Sequence, residues 1–157
     1  MPLLVTSHKT PVGTLNLLAD DQILIGANLS TVSAFKAGRD VKVVNSIPVI
    51  SDLISDYFDG DLTALNGIQV RQPGAAFSQA AWKAMRKVAP GKTWSYADLA
   101  AKAGSPAAVR AAGSACANNA IMLVVPCHRI VKTGGALGNY AYGVDKKQWL
   151  LSHEGFL

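Results

Sequence analysis

Apolar and polar positions change rhythm partway along the chain. The early runs are short: "LLVTSHK" (3–9) and "TLNLLA" (14–19) read as strands, and "TPVG" (10–13) between them carries the Pro and Gly of a tight turn. Asp20 and Asp21 predict a second turn, into a third strand-like run, "ILIGANL" (23–29). After Pro48 the spacing becomes helical, with Val49, Ile50, Leu53, Ile54, Tyr57 and Phe58 on one stripe and Gly60 as the stop. "GDLTALNGIQVRQPGA" (60–75) is rich in turn formers, so it predicts a connector and a domain boundary near residue 72.

Beyond that boundary the pattern is helical. "FSQAAWKAMRKV" (77–88) gathers Phe77, Ala81, Trp82 and Met85 on one side, and "APGK" ends it. Ser95 is a predicted cap for "YADLAAKA" (96–103), which Gly104 closes; Ser105 then caps a second helix with Pro106 at its first position. Two short helices joined through one glycine predict a helix-turn-helix. In the second of them Val109, Ala112, Gly113 and Cys116 fall at i, i+3, i+4 and i+7 and should face the core, which makes Cys116 a small packing hydrophobe. The opposite face holds Ala107, Arg110, Ala111, Ser114 and Ala117. That face is small and bare except for one arginine, which suits close approach to DNA better than a plain solvated surface. The expected fold is therefore α+β: a small α/β N-terminal domain over 1–72, then a mostly helical C-terminal domain over 73–157 that contains the helix-turn-helix.

Charge strengthens the asymmetry. Residues 1–72 hold five Lys/Arg and seven Asp/Glu, net −2; residues 73–157 hold ten Lys/Arg and three acids, net +7. A basic half suggests a polyanionic partner for the C-terminal part. Half of the 157 residues are hydrophobic, enough to build a core, which argues against disorder. The apolar run "AIMLVV" (120–125) is too short to span a bilayer, and "MPLLVTSHKT" lacks the flanks of a signal peptide. Two cysteines do not make a secreted disulfide framework. These features predict an intracellular, reducing location, cytoplasmic and nucleoid-associated if the source is prokaryotic, with no membrane partner.

The candidate chemistry lies in "VVPCHRIV" (124–131). Cys127 is a packing residue, a metal ligand or a nucleophile. A metal site needs three or four ligands, and two cysteines with three histidines in no ligand spacing do not supply them, so no metal or other cofactor is expected. Burying His128 and Arg129 beside a packing cysteine is costly without a task. A nucleophile needs a base or cation to stabilise its thiolate, and a carboxylate to orient the base. Neighbours on a strand face opposite ways, so His128 serves Cys127 only if the backbone turns here or a water bridges them; Pro126, holding Val125 extended, suits a strand that ends in such a turn. Of the acids in the basic half (Asp98, Asp145 and Glu154), Glu154, one residue before Gly155, is the best orienting candidate. Asp98 and Asp145 read as helix-start acids.

At these residues the sequence resembles the O6-alkylguanine-DNA alkyltransferases, the methylated-DNA–protein-cysteine methyltransferases. "VPCHRIV" (125–131) resembles the family's active-site signature, and "FSQAAWKAM", "GKTWSYADLA", "AVRAAG" and "LGNYAYGVDKKQWLLSHEG" are similar to its other C-terminal segments. "TPVG" and "YFDG" extend the likeness into the first half.

The resemblance implies irreversible alkyl transfer from O6-alkylguanine, flipped out of double-stranded DNA, to Cys127, with one turnover per protein. It implies His128 as base through a water, Glu154 holding His128, Tyr96 supporting the guanine leaving group, and Asn119 holding the turn before the active site. Backbone carbonyls of Cys127 and Ile130 would accept the guanine amine, and Tyr140 would wall the pocket. Arg110 would fill the gap in the base stack, with Ala107, Ala111, Ser114 and Ala117 against the minor groove. A monomer is expected. Arg129 reads mainly as an ion-pair former. Rival readings are a helix-turn-helix lesion binder or regulator without transfer chemistry, and a cysteine hydrolase with Cys127, His128 and Glu154.

Two departures stand out. The first half has no cysteine for the structural zinc of some relatives, and Tyr142 replaces the first glycine of a Gly-Gly pair in "GNYAYG". The Tyr142 ring is expected to narrow the pocket mouth against bulky O6 groups.

Overall fold

The computed structural model describes residues 2–157, and its chain divides into two compact units. The first holds residues up to Gln72 together with Ala120–Val124; the second holds Pro73–Asn119 and Val125–Leu157. A break at 72/73 matches the connector composition. An uninterrupted second domain over 73–157 does not match, because residues 120–124 belong to the first unit. There Ala27 pairs with Ile121 in an isolated parallel bridge, Ala27 N–H donates to Ala120 O at 2.9 Å, and Ala120 N–H donates to Gln72 Oε1 at 2.8 Å. The unpaired edge of a strand captures this segment, a contact no local pattern announces.

The first unit is a five-stranded sheet in the order β4-β1-β2-β3-β5. β1 (Leu3–Thr10), β2 (Gly13–Asp20) and β3 (Ile23–Asn28) form the antiparallel meander that the two turn signals predict. In β2 every residue from Leu15 to Ala19 is buried, the mark of a central strand covered on both faces. β4 (Val41–Val43) and β5 (Gln69–Val70) add in parallel at the edges. Neither was expected, since two or three residues carry no alternation. The supposed connector 60–75 thus contains β5 and a 3-10 turn at Ala64–Gly67. α1 (Ser33–Lys36) brings Phe35 onto Val5 and Leu18, and a Cβ on Gly26 would lie 2.8 Å from the Phe35 ring. α2 (Ile50–Phe58) buries Ile50, Ile54 and Tyr57 and is tied to β1 by a 2.9 Å hydrogen bond between His8 Nε2 and Ser51 Oγ.

The second unit is mostly helical, with α3 (Ala76–Met85), α4 (Tyr96–Lys102), α5 (Val109–Ala117) and α6 (Val144–His153). Trp82 Nε1 donates to Ala115 O at 2.9 Å and fastens α3 to α5. Ser95 starts α4 with a capping box: its hydroxyl accepts the Asp98 N–H, and the Asp98 carboxylate accepts the Ser95 N–H, both at 3.0 Å. The strands β6 (Trp94–Ser95) and β7 (Ile130–Val131) pair in parallel and set the start of α4 beside the end of the Cys127 turn.

The helix-turn-helix differs in detail from its expectation. α5 begins at Val109 rather than just after Ser105. Gly104 has φ +97°, and Ala108 N–H donates to Ser105 O at 2.9 Å, so Pro106 opens a β-turn instead of a helix. The buried positions of α5 are Ala112 and Ala115. Val109 is exposed, while Gly113 and Cys116 are half-buried. The core stripe is therefore rotated from the predicted one, and Cys116 is not a simple packing residue. Ala107, Arg110, Ala111, Ser114 and Ala117 are all exposed, as the small outer face requires. Among the described residues no helix is long and apolar enough to cross a membrane.

Candidate active site

Chain geometry around Cys127 comes from two tight turns rather than the end of a strand. Pro126 sits at φ −84°, ψ 67°, and Cys127 N–H donates across it to Val125 O at 2.9 Å. That is an inverse γ-turn. Residues Cys127–Arg129 then form a 3-10 turn, with Arg129 N–H on Pro126 O at 3.0 Å, before β7 begins. The turn removes the strand constraint that would have sent Cys127 and His128 to opposite faces.

Each of the three turn residues meets a different environment. His128 is fully buried, and its Nε2 lies 2.8 Å from Glu154 Oε2. Arg129 donates twice to the same carboxylate, Nε to Oε1 at 2.8 Å and NH2 to Oε2 at 2.9 Å, and once to Val88 O at 2.7 Å. Burial alone would raise the Glu154 carboxyl. The hydrogen bonds and charges of His128 and Arg129 outweigh it and hold the group far below the usual carboxylate range. Glu154 therefore stays ionised. Burial lowers His128 from its ordinary value, against the pull of Glu154, so the imidazole is neutral near pH 7. With Nε2–H given to Glu154, Nδ1 carries the free lone pair, and Nδ1 is buried without a hydrogen-bond partner among the described residues.

Cys127 is buried, and Asn119 Nδ2 donates to its Sγ at 3.5 Å and to Val125 O at 2.8 Å. Asn119 thus spans the turn and touches the sulfur. Burial pushes the Cys127 thiol up; the Asn119 hydrogen bond and the Lys147 ammonium pull it back. Lys147 is fully buried on α6, with Nζ 2.7 Å from Ile130 O and 3.3 Å from Asn139 O. Among the hydrogen bonds of the described residues none joins Cys127 to His128 directly. Both carbonyls expected to receive the guanine amine already accept one donor, Ile130 N–H on Cys127 O and Lys147 Nζ on Ile130 O. Each keeps a second lone pair.

Beside Cys127 lies a cavity of about 740 Å³, within the ordinary range for small-molecule sites. It brings Cys127 together with Tyr96, Arg110, Ser114, Ala117 and Tyr140 from the expected set, and with Cys116 and Lys132, which were not expected there. Burial, then the nearby Cys116 and Cys127, pushes the Tyr96 hydroxyl up to about 12, so it remains a proton donor. Ala107 and Ala111 are exposed on the outer surface, outside the cavity lining. Tyr142 is half-buried and meets Tyr140 edge-on, with ring centroids 5.8 Å apart and planes at 71°. Burial, then Cys127, raises the Tyr142 hydroxyl. Among the described residues no group of three His, Cys, Asp or Glu is placed to hold a metal ion.

Sequence reasoning missed Lys147. A signal was present: Lys147, Leu150, Leu151 and Glu154 fall at i, i+3, i+4 and i+7 and all are buried, so the apolar stripe of α6 begins and ends on a charge.

Residues 76–156 match the family described as "6-O-methylguanine DNA methyltransferase, DNA binding domain". The chain is 34% identical over 166 residues to the methylated-DNA–protein-cysteine methyltransferase of Salmonella typhimurium, covering 99% of this chain and 97% of that protein. It is 48% identical over 77 residues to the human protein of the same name, covering 49% of this chain and 37% of that one. Among solved structures, Mycobacterium tuberculosis OGT in complex with DNA is similar with a TM-score of 0.86 at 29% identity, covering 96% of this chain and 92% of that chain. A buried Cys-His-Arg turn held by one glutamate, on a helix-turn-helix unit and with relatives matching along nearly the whole chain, places this protein in the 6-O-methylguanine DNA methyltransferase family.

Proposed function

We propose that the protein repairs DNA by moving the alkyl group of O6-alkylguanine onto Cys127, once per molecule. The single observation that carries the choice of residue is the Asn119-held Cys127 thiol in the same cavity as the Tyr96 hydroxyl. The sulfur attacks the alkyl carbon in line. The S–C bond forms, the C–O6 bond breaks, and the thiol proton is replaced by one on the guanine ring. His128, neutral and held by Glu154, takes the thiol proton through a bridging water, since no direct bond joins the two side chains. Tyr96 donates to the leaving guanine. Lys147 supplies positive charge as the thiolate develops. The product is a thioether with no good leaving group, so water does not regenerate the thiol and the protein is consumed.

DNA binding accords with the relative solved on DNA and with the net +7 of residues 73–157. For this chain the reading is a monomer in the cytoplasm that enters the minor groove with the small face of α5, while Arg110 takes the place of the flipped nucleotide. The exposure of Ala107, Arg110, Ala111, Ser114 and Ala117 supports it.

The test is intact mass after mixing with duplex DNA that contains O6-methylguanine, followed by peptide mapping. One added methylene, on Cys127 and saturating at one per protein, is expected. An unchanged mass with lesion-selective binding would leave a sensor instead.

A further inference from the structure

Among the described residues, two cations and no acid line the cavity beside Cys127: Arg110 from α5, and Lys132. Arg110 lies on the helix face that meets DNA in the reading above. Lys132 does not. It follows β7 directly, and the chain folds back behind it, with Lys132 N–H donating to Ala136 O at 2.9 Å and Gly135 N–H to Lys132 O at 3.0 Å. Its backbone is thus fixed on both sides. The side chain is exposed and its ammonium has no ion-pair partner among the described residues. Its stem passes close beside Gly138. A Cβ built there would lie 3.4 Å from Lys132 Cγ and 3.2 Å from the Tyr96 hydroxyl oxygen. The lysine stem and the phenol therefore flank Gly138, and both residues line the cavity.

We infer that Lys132 binds the phosphate of the everted nucleotide. The inference rests on the base-flipping reading of the site. A base inside the cavity brings its own sugar and phosphate to the rim, where the free cation is. An unpaired ammonium on a flexible stem suits a phosphate, which it meets as a point charge without a fixed geometry. The contact is conditional. With the base stacked in the duplex, the phosphate stays on the regular backbone, away from the cavity. Lys132 then contributes little, so it favours the flipped complex over the searching one.

The test uses the full-length Cys127→Ser protein, so that binding is measured without transfer. Affinity is titrated against salt on an O6-methylguanine duplex and on the same duplex undamaged, with and without Lys132→Ala. Each phosphate contact adds about 0.9 to the slope of log K against log salt. The lesion slope should fall by about 1, the undamaged slope should hold, and Lys132→Arg should restore the first. In the otherwise wild-type protein, Lys132→Ala should lower the ratio of transfer from duplex to transfer from free O6-methylguanine base.

Equal loss of slope on both duplexes would mean a general backbone contact and overturn the inference. So would no change on either, or a parallel loss of duplex and free-base rates, which would make Lys132 part of the pocket wall. Slope is a binding measurement, so it judges Lys132 separately from chemistry. A wild-type protein that gains no methylene would overturn the proposed function, and the slopes would still decide this one.

Discussion

Glu154 accepts hydrogen bonds from His128 and Arg129, and its carboxylate serves two ends: Oε2 orients His128, while both oxygens neutralise Arg129. Glu154→Gln should therefore damage two properties at once. The imidazole loses its fixed tautomer, and transfer should fall by about 10²- to 10⁴-fold in single-turnover assays. Arg129 is left buried without a counter-charge, at a cost of about 3–5 kcal/mol in denaturant unfolding. A transfer rate within twofold of wild type would remove Glu154 from the proton path. The same group sets the acid stability. Its folded pKa is depressed, so its contribution is complete above the unfolded value near 4.5 and is lost as pH falls through the folded one. His128 is also depressed, from 6.5, because charging it in place is disfavoured; its protonation in the unfolded chain begins to erode stability below about that pH. Urea midpoints measured from pH 7 down to pH 3 should fall throughout, and Glu154→Gln should flatten the portion below about pH 4.5. A midpoint that rises on acidification would contradict both assignments.

Elements with local signals were legible in the sequence. The meander followed from its two turns, α2 from its apolar spacing, and α4 from Ser95 as its cap and Gly104 as its stop. Elements defined by their neighbours were not. β4, β5 and β7 are two or three residues long and exist only because a longer strand or a matching short one lies beside them. The onset of α5 depended on whether Pro106 opened a helix or a β-turn, and both use the same proline φ. In the site, Cys127, His128 and Glu154 were readable as a candidate set from residue type and order, and Tyr96 only through the family resemblance. Lys132 and Lys147 look like any surface lysines until the Ile130 carbonyl and the cavity give them positions. The segment from Asn139 to Gly143 belongs to this scale too. Tyr142 rests edge-on against Tyr140, whose ring lines the cavity. Tyr142 itself lies outside the cavity lining, so Tyr142→Gly should act by freeing Tyr140 to move aside, raising the rate with O6-benzylguanine relative to a methyl substrate by about tenfold. No gain in that ratio would mean that the ring does not restrict the pocket.

At the scale of the whole molecule, the reaction converts the protein into a different one. Cys127 is only 8% exposed, its sulfur accepts a hydrogen bond from Asn119, and that asparagine also fixes the turn through Val125 O. A methyl on the sulfur adds volume at this point and weakens the contact. It also ends any attraction between a thiolate and Lys147, which is fully buried and whose partners among the described residues are carbonyls. On the side of the sulfur packed against Asn119, away from the cavity, overpacking costs about 1–3 kcal/mol. In a chain of 157 residues each kcal/mol moves the melting temperature by about 2–4 °C, so stoichiometric methylation should lower Tm by roughly 2–12 °C. The measurement is a thermal melt before and after reaction with a methylated duplex, once the product DNA is removed. Cys127→Ser treated in the same way is the control, and it should not shift. A methylated protein that melts with the free one would mean that the cavity receives the methyl without displacing Asn119. Any later removal of the spent protein would then have to recognise the thioether itself rather than a loosened fold.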